Sequence, residues 1–254
     1  MARKADRTPA TLRALPVLEA VAAAERPLTL AELSERVPLP RPTVYRMLAM
    51  LEAECFVARE PGARRYAPGP RLDKLGRLVM LNGTLAVVRH AILARLVDEI
   101  GETCNFTMRD GIEVVYLDRV EAAWPLRINL AAGSRVPLHC TASGKLLLAM
   151  LPRSARERLL THLPLPRYTE TTLTDPKALA AELVRIRSQR YATDNEEYHA
   201  GLVCVAVPVE EASHRTCAAL AVHAPVSRMP LARALEHLPR LRRAAAEMAA
   251  TFAG

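Results

Sequence analysis

The reactive residue types of this chain crowd into one run, HCTASGK, which sets His139, Cys140, Thr141, Ser143 and Lys145 side by side. A thiol or hydroxyl beside an imidazole and an ammonium suggests nucleophilic or phosphate chemistry, and spacing tests each version. A Walker-type phosphate loop fails, because Gly144-Lys145 is followed by Leu146 and the glycine expected five residues before Gly144 is His139. The Ser-x-x-Lys pair of penicillin-recognising enzymes fails too, since Lys145 is two residues from Ser143. A Cys-His hydrolase needs a partnered thiolate, which adjacency of His139 and Cys140 along the chain does not supply. A nucleophile at Cys140 or Ser143 would predict covalent labelling by an electrophile and loss of turnover on mutation. His139, Cys140, Asp194, Cys204 and His223 are all types that ligate divalent metals, but sequence does not show them converging, and neither a metal nor a cofactor is expected.

Binding chemistry suits the same run better. Thr141-Ala142-Ser143-Gly144 opens a predicted helix, so its unpaired backbone N–H groups and the positive end of the helix dipole would face an anion. The residues are small enough for a ligand to reach the backbone. A small carboxylate fits there; so does a capped helix start with no ligand.

Positioning such a site requires a packed fold. With 254 residues, 50% hydrophobic and 24% charged, the chain is long enough for two domains. Aromatic residues make up only 4%, so packing leans on Leu, Val and Ala and favours helices. The opening MARKADRTPATLR has no apolar run, and no stretch reaches the ~20 consecutive apolar residues of a membrane span, so a soluble, cytoplasmic protein without membrane partners is expected. Cys55, Cys104, Cys140, Cys204 and Cys217 show no CxxC spacing, which argues against a disulfide framework or zinc finger. The net charge is +8, most of it within residues 1–90, as a binder of an anionic polymer would arrange it.

That basic third reads as a small helical reader of DNA. Thr8-Pro9 predicts an N-cap and first helical residue, with a helix to about Ala24. Thr29 and Glu32 form a predicted capping box, with Leu28 stapling onto Leu33, and this helix stops near Val37 ahead of Pro38-Leu39-Pro40. A third helix runs from about Pro42 to Glu54 and packs Val44, Met47, Leu48 and Leu51 inward. Arg41, Thr43, Tyr45 and Arg46 are then expected on its exposed first turns, where side chains of these types meet bases in a major groove. Phe56–Arg59 and Arg64–Ala67, joined through Pro61-Gly62, read as two strands of a wing, with Arg64 and Arg65 beside the backbone or minor groove.

Taken together, RALPVLEAVA, PLTLAELSERVPLPRPTVYRMLAMLE and RYAPGPRLDKLG resemble the DNA-binding domain of the IclR family of bacterial transcriptional regulators. Two later blocks, GSRVPLHCTASGKLLLA (Gly133–Ala149) and DNEEYHAGLVCVAVPV (Asp194–Val209), resemble that family's effector-binding domain in the same order. Departures are few: Cys55 and Pro38 stand where the family more often has glycine, and Arg190 replaces a small residue.

The expected fold is α+β: a winged helix-turn-helix domain over 9–70 (helix-turn-helix about 29–50, wing about 56–67), a linker helix over 71–83, and a mixed effector-binding and oligomerisation domain over 84–254. The family resemblance makes that last domain GAF-like. Its predicted elements are a helix over Thr84–Ile100 stopped by Gly101 and a hairpin of Cys104–Arg109 and Ile112–Val120. Further strands are expected near Leu126–Leu130, Leu202–Val209 and Thr216–His223, with helices over Ser143–Met150, Ser154–His162, Pro176–Gln189 and Pro230–Phe252. The resemblance implies effector contacts at Ala142, Ser143, Gly144, Asp194, Cys204, Ala221 and His223. It implies a regulator, not an enzyme, that binds double-stranded DNA at a roughly palindromic operator as a homodimer or dimer of dimers. Asp194 would accept from a ligand hydroxyl and repel a carboxylate set directly against it, which suggests a hydroxylated or aromatic organic acid. A contrasting reading is a small-molecule-binding assembly protein, distinguished by a lack of salt-sensitive DNA binding.

Overall fold

The computed structural model describes residues 9–24, 26–60, 64–82, 84–123, 131–210 and 216–252. They divide into two compact units, Met1–Val79 and Met80–Gly254.

The first unit is a winged helix. Helices α1 (Ala10–Ala22), α2 (Leu30–Arg36) and α3 (Arg41–Ala53) are joined to a small antiparallel sheet of order β1-β3-β2, built from Leu28–Thr29, Val57–Arg59 and Arg65–Pro68. Helix α1 starts one residue later than its sequence suggests: Pro9 is the N-cap, and Thr8 lies outside the described residues. The capping box of α2 forms as expected. Thr29 Oγ1 accepts from the Glu32 N–H at 3.3 Å, and Glu32 accepts from the Thr29 N–H at 2.7 Å, which satisfies two donors that a helix start leaves open. Leu28, Leu33, Val44, Met47, Leu48 and Leu51 form one core with Val17, Val21, Val57 and Tyr66. The Pro61-Gly62 turn lies outside the described residues. Helix α4 (Pro70–Asn82) follows, with Leu75, Leu78 and Val79 exposed along it.

The second unit stacks three layers. Its middle is a six-stranded antiparallel sheet of order β6-β5-β4-β9-β8-β7. The strands are β4 (Thr103–Asp110), β5 (Glu113–Val120), β6 (Arg135–Pro137), β7 (Ala192–Asn195), β8 (Leu202–Glu210) and β9 (Thr216–Pro225). One face, carrying Phe106, Val205, Val207, Leu220 and Val222, packs on helices α5 (Thr84–Ile100), α9 (Leu231–Glu236) and α10 (Leu238–Ala250). The other packs on α6 (Ala142–Met150) and α8 (Pro176–Gln189), with α7 (Arg153–His162) between them in sequence. Gly101, with φ +79°, closes α5 as the sequence predicts.

Two expectations need correction. The short strands β1, β6 and β7 were not anticipated, because two to four residues are too few to display an alternating pattern. The single last helix is two: Pro239 has no N–H to offer the Leu235 carbonyl, and the ladder breaks at His237. The strand expected near Leu126–Leu130 lies outside the described residues. Cys55 and Arg190 both adopt left-handed backbone, with φ +59° and +62°.

Candidate functional site

Helix α6 is buried from Ala142 to Ala149, and sheet register explains how it comes so close. Ala192, Ala206 and Ala221 are cross-strand neighbours on β7, β8 and β9, giving a row of small side chains beneath the helix. The helix also leans on the segment before it. A side chain at Gly144 would run into the Leu138 backbone, so only glycine fits. The next row along the same face changes character: Asp194, Cys204 and His223 are aligned partners. Where the alanines stop, a cavity opens between this polar row and the N-terminus of α6.

Five predicted contacts line that cavity together: Ala142, Ser143, Asp194, Cys204 and His223. Two do not. Ala221 lies in the alanine row under α6, and Gly144 is packed against Leu138. Sequence reasoning missed Asn105, Tyr116, Tyr198 and His199, which complete the wall with Val136, Thr141 and Leu202. The cavity is about 30 Å³, room for roughly one or two waters. Thr141 caps α6 by accepting from the Gly144 N–H at 3.1 Å. That leaves the Ala142 and Ser143 N–H groups without intrahelical acceptors at the positive end of the helix.

Among the described residues, no Lys or Arg lines this cavity. Burial, aided by the nearby Glu197 carboxylate, pushes the Asp194 carboxyl up to about 7. Burial, with Arg119 adding repulsion, pushes the His223 imidazole down to about 3, so the ring is neutral at physiological pH. Asn105 Nδ2 lies 2.9 Å from His223 Nδ1. Asp194 Oδ1 accepts from the Glu197 N–H at 2.7 Å, forming the turn that carries Tyr198. Glu197 is anchored again by its buried ion pair with Lys145 and by the Thr172 hydroxyl, which donates to the Glu197 carbonyl at 2.7 Å. Lys145, in the middle of α6, therefore holds the turn that walls the cavity.

The enzymatic and metal readings find no geometry. Burial pushes the Cys140 thiol up, the reverse of what a nucleophile needs, and His139 Nε2 pairs with the Pro166 carbonyl at 2.9 Å. Among the described residues, no three His, Cys, Asp or Glu side chains are grouped to hold a metal.

On the first unit, α3 exposes Arg41, Tyr45 and Arg46. Thr43 corrects the expectation: it is buried, at 9% exposure, as part of a stripe broadened to Thr43, Met47 and Leu51. Arg65 is half-buried and its guanidinium donates to the Pro27 carbonyl at 3.2 Å, so it braces the sheet, whereas Arg64 is exposed. Arg59, at the end of β2, is a further exposed cation of the wing, 6.0 Å from the Tyr66 ring.

Comparison with known proteins agrees with both halves. Residues 79–250 match the family model for the bacterial transcriptional regulator IclR C-terminal domain, and residues 10–61 match the IclR helix-turn-helix domain. The chain belongs to the IclR family. This IclR-family chain is 49% identical to a protein of Cupriavidus necator named "Probable transcriptional regulator SauR", over 96% of each chain. It is 32% identical to the Escherichia coli regulator KdgR, over 98% of this chain and 94% of that one. Its fold is similar to the crystal structure of Thermotoga maritima IclR, with 28% identity, a TM-score of 0.64, and 95% and 97% of the two chains covered. It is also similar to a double mutant of the inducer-binding domain of Acinetobacter PobR, solved with 3-hydroxybenzoic acid, with 30% identity, a TM-score of 0.59, and 64% and 95% covered. As an IclR-family member it is a DNA-binding transcriptional regulator with an effector-binding domain. No single helix among the described residues is long and apolar enough to cross a membrane.

Proposed function

We propose that operator binding by this regulator is controlled by a small organic acid, hydroxylated or aromatic, held at the N-terminus of α6. The make-up of the cavity wall carries this reading. Neutral donors (the Ala142 and Ser143 N–H groups and the Ser143 and Tyr116 hydroxyls) face a carboxyl at Asp194, with no Lys or Arg among the described residues of the lining. A ligand carboxylate accepts from the donors, and a ligand hydroxyl takes the Asp194 end. The likeness to a PobR domain solved with 3-hydroxybenzoic acid supports the same class. A ligand of that size needs more than the present volume, so binding goes with displacement of the turn bearing Tyr198 and His199. An effector that prefers the displaced arrangement shifts the protein's equilibrium by its differential affinity, which is what coupling to DNA binding requires.

At the DNA, Arg41, Tyr45 and Arg46 meet the major groove, and Arg64 contacts backbone or minor groove, with Arg65 behind it. The chain acts as a homodimer or a dimer of dimers on a roughly palindromic operator. The test is a pull-down of genomic fragments at two salt concentrations, repeated with a panel of organic acids. A short palindrome whose recovery changes with one acid is expected. Arg46→Ala should weaken specific binding by about 1–3 kcal/mol and alter base preference at one position. Binding that is purely non-specific, or release by uncharged compounds alone, would refute the reading.

A further inference from the structure

His223 sits at the β9 end of the cavity, and what it offers a ligand depends on which ring nitrogen holds its proton. A buried neighbour decides that. Asn105, on β4, is 2% exposed, and its amide nitrogen lies 2.9 Å from His223 Nδ1. The two side chains share a sheet face: Asn105 pairs with Ala221 and His223 with Thr103, so they meet diagonally across the β4–β9 ladder. With the amide nitrogen turned to the ring, its N–H can only donate, so in this arrangement Nδ1 accepts and the ring proton is left on Nε2. Nε2 is not among the buried polar atoms that lack partners, and both residues line the cavity. The ring is uncharged at physiological pH, so its tautomer alone sets the polarity of this wall.

We propose that Asn105 is a specificity-determining residue, which fixes His223 as an Nε2–H donor and so selects ligands that present an acceptor oxygen to β9 and rejects those that present an N–H. This assignment rests on the effector reading above and names a feature of the same cavity: a carboxylate or carbonyl oxygen is matched at both the helix end and the imidazole end, while among the described lining residues the one acidic side chain is Asp194. An ammonium or amidinium would find at His223 a donor facing a donor, a mismatch that a buried site penalises heavily.

The test begins on the full-length protein without ligand. In ¹⁵N-histidine-labelled protein, with His223 assigned by its loss in His223→Gln, Nδ1 should give the unprotonated pyridine-like signal and Nε2 the protonated pyrrole-like one. In Asn105→Leu the fixed tautomer should be lost and the two forms mix. Calorimetry with 3-hydroxybenzoate and its amidine counterpart, 3-hydroxybenzamidine, then reads preference. The wild type should bind the acid and not the amidine, and Asn105→Leu should lose roughly tenfold in acid affinity, about 1.4 kcal/mol. A proton on Nδ1 in the wild type overturns the proposal even if the variant fails to fold. So does an Asn105→Leu protein that keeps both the Nε2–H signal and the acid preference. Binding of neither probe, nor of any acid in the wider panel, refutes the organic-acid reading instead, and the spectrum still reports the tautomer.

Discussion

Lys145→Met removes the ammonium from the buried pair with Glu197 while keeping the length of the side chain. Lys145 is 1% exposed and Glu197 7%, and one Glu197 carboxylate oxygen, Oε2, already lacks a partner. The stranded carboxylate can lower its cost only by taking a proton. From the ordinary glutamate value of 4.5, that costs about 1.4 kcal/mol per pH unit, or roughly 3 kcal/mol at pH 7. The figure agrees with the ~3–5 kcal/mol typical of breaking a buried pair from one side. For a unit of this size it corresponds to a melting temperature lower by roughly 6–12 °C. The sign with pH follows. In the variant the folded state holds the proton more tightly than the unfolded state, so the deficit grows as pH rises and shrinks as pH falls towards 4.5. Replacing both partners, as Lys145→Met with Glu197→Met, should restore most of the loss. Calorimetry of the full chain across about pH 5 to 8 reads all of this. A single variant within ~1 kcal/mol of the wild type, a pH-independent loss, or a double variant as unstable as the single would refute the reasoning.

Asp194→Asn keeps an acceptor for the Glu197 N–H but removes the titration near 7. Because burial raises the folded-state value from 3.8 to about 7, wild-type stability should fall as pH rises between those values, and the variant, lacking that fall, should gain relative to wild type by about pH 8; equal pH profiles by calorimetry would contradict this. Cys55→Gly should stabilise the first unit by up to about 1 kcal/mol, since Cys55 holds left-handed backbone and is exposed; a lower melting temperature would show that the strain is not there. Gly144→Ala should cost about 1–3 kcal/mol, because its methyl meets the Leu138 backbone rather than a yielding side chain; unchanged thermal unfolding would mean that α6 can lift away freely.

How legible these features were depends on the distance over which each is specified. The α2 cap was readable because Thr29 and Glu32 are three residues apart and carry the whole signal. The α8 boundaries, Pro176–Gln189, were expected, and the structure shows Asp175 capping that helix by accepting from the Ala178 N–H. Thr43 was misjudged because the apolar stripe was started at Val44, although the i, i+4 line through Leu51 and Met47 runs back one more turn to Thr43. At the cavity, Asp194, Cys204 and His223 were expected through family resemblance, and their alignment is a matter of strand register. Asn105 could not have been read at all: it meets His223 across 118 residues of sequence, and no local pattern marks an asparagine in a strand as facing a cavity. Tyr198 and His199 were hidden similarly, in a turn whose shape depends on Lys145 and Thr172 from other elements.

The alanine row and the polar row beside it separate two things that evolution could otherwise change only together. Ala192, Ala206 and Ala221 set how close α6 lies to the sheet, and enlarging any of them would move the helix and with it the donors at its start. Cys204 and His223 lie one step further along the same strands, in the wall of the cavity rather than in the alanine row. Ligand preference can therefore drift by substitution at the second row while the frame that reports occupancy is inherited intact. Changing which small molecule such a domain accepts is, on this architecture, a matter of a few side chains and leaves the fold alone.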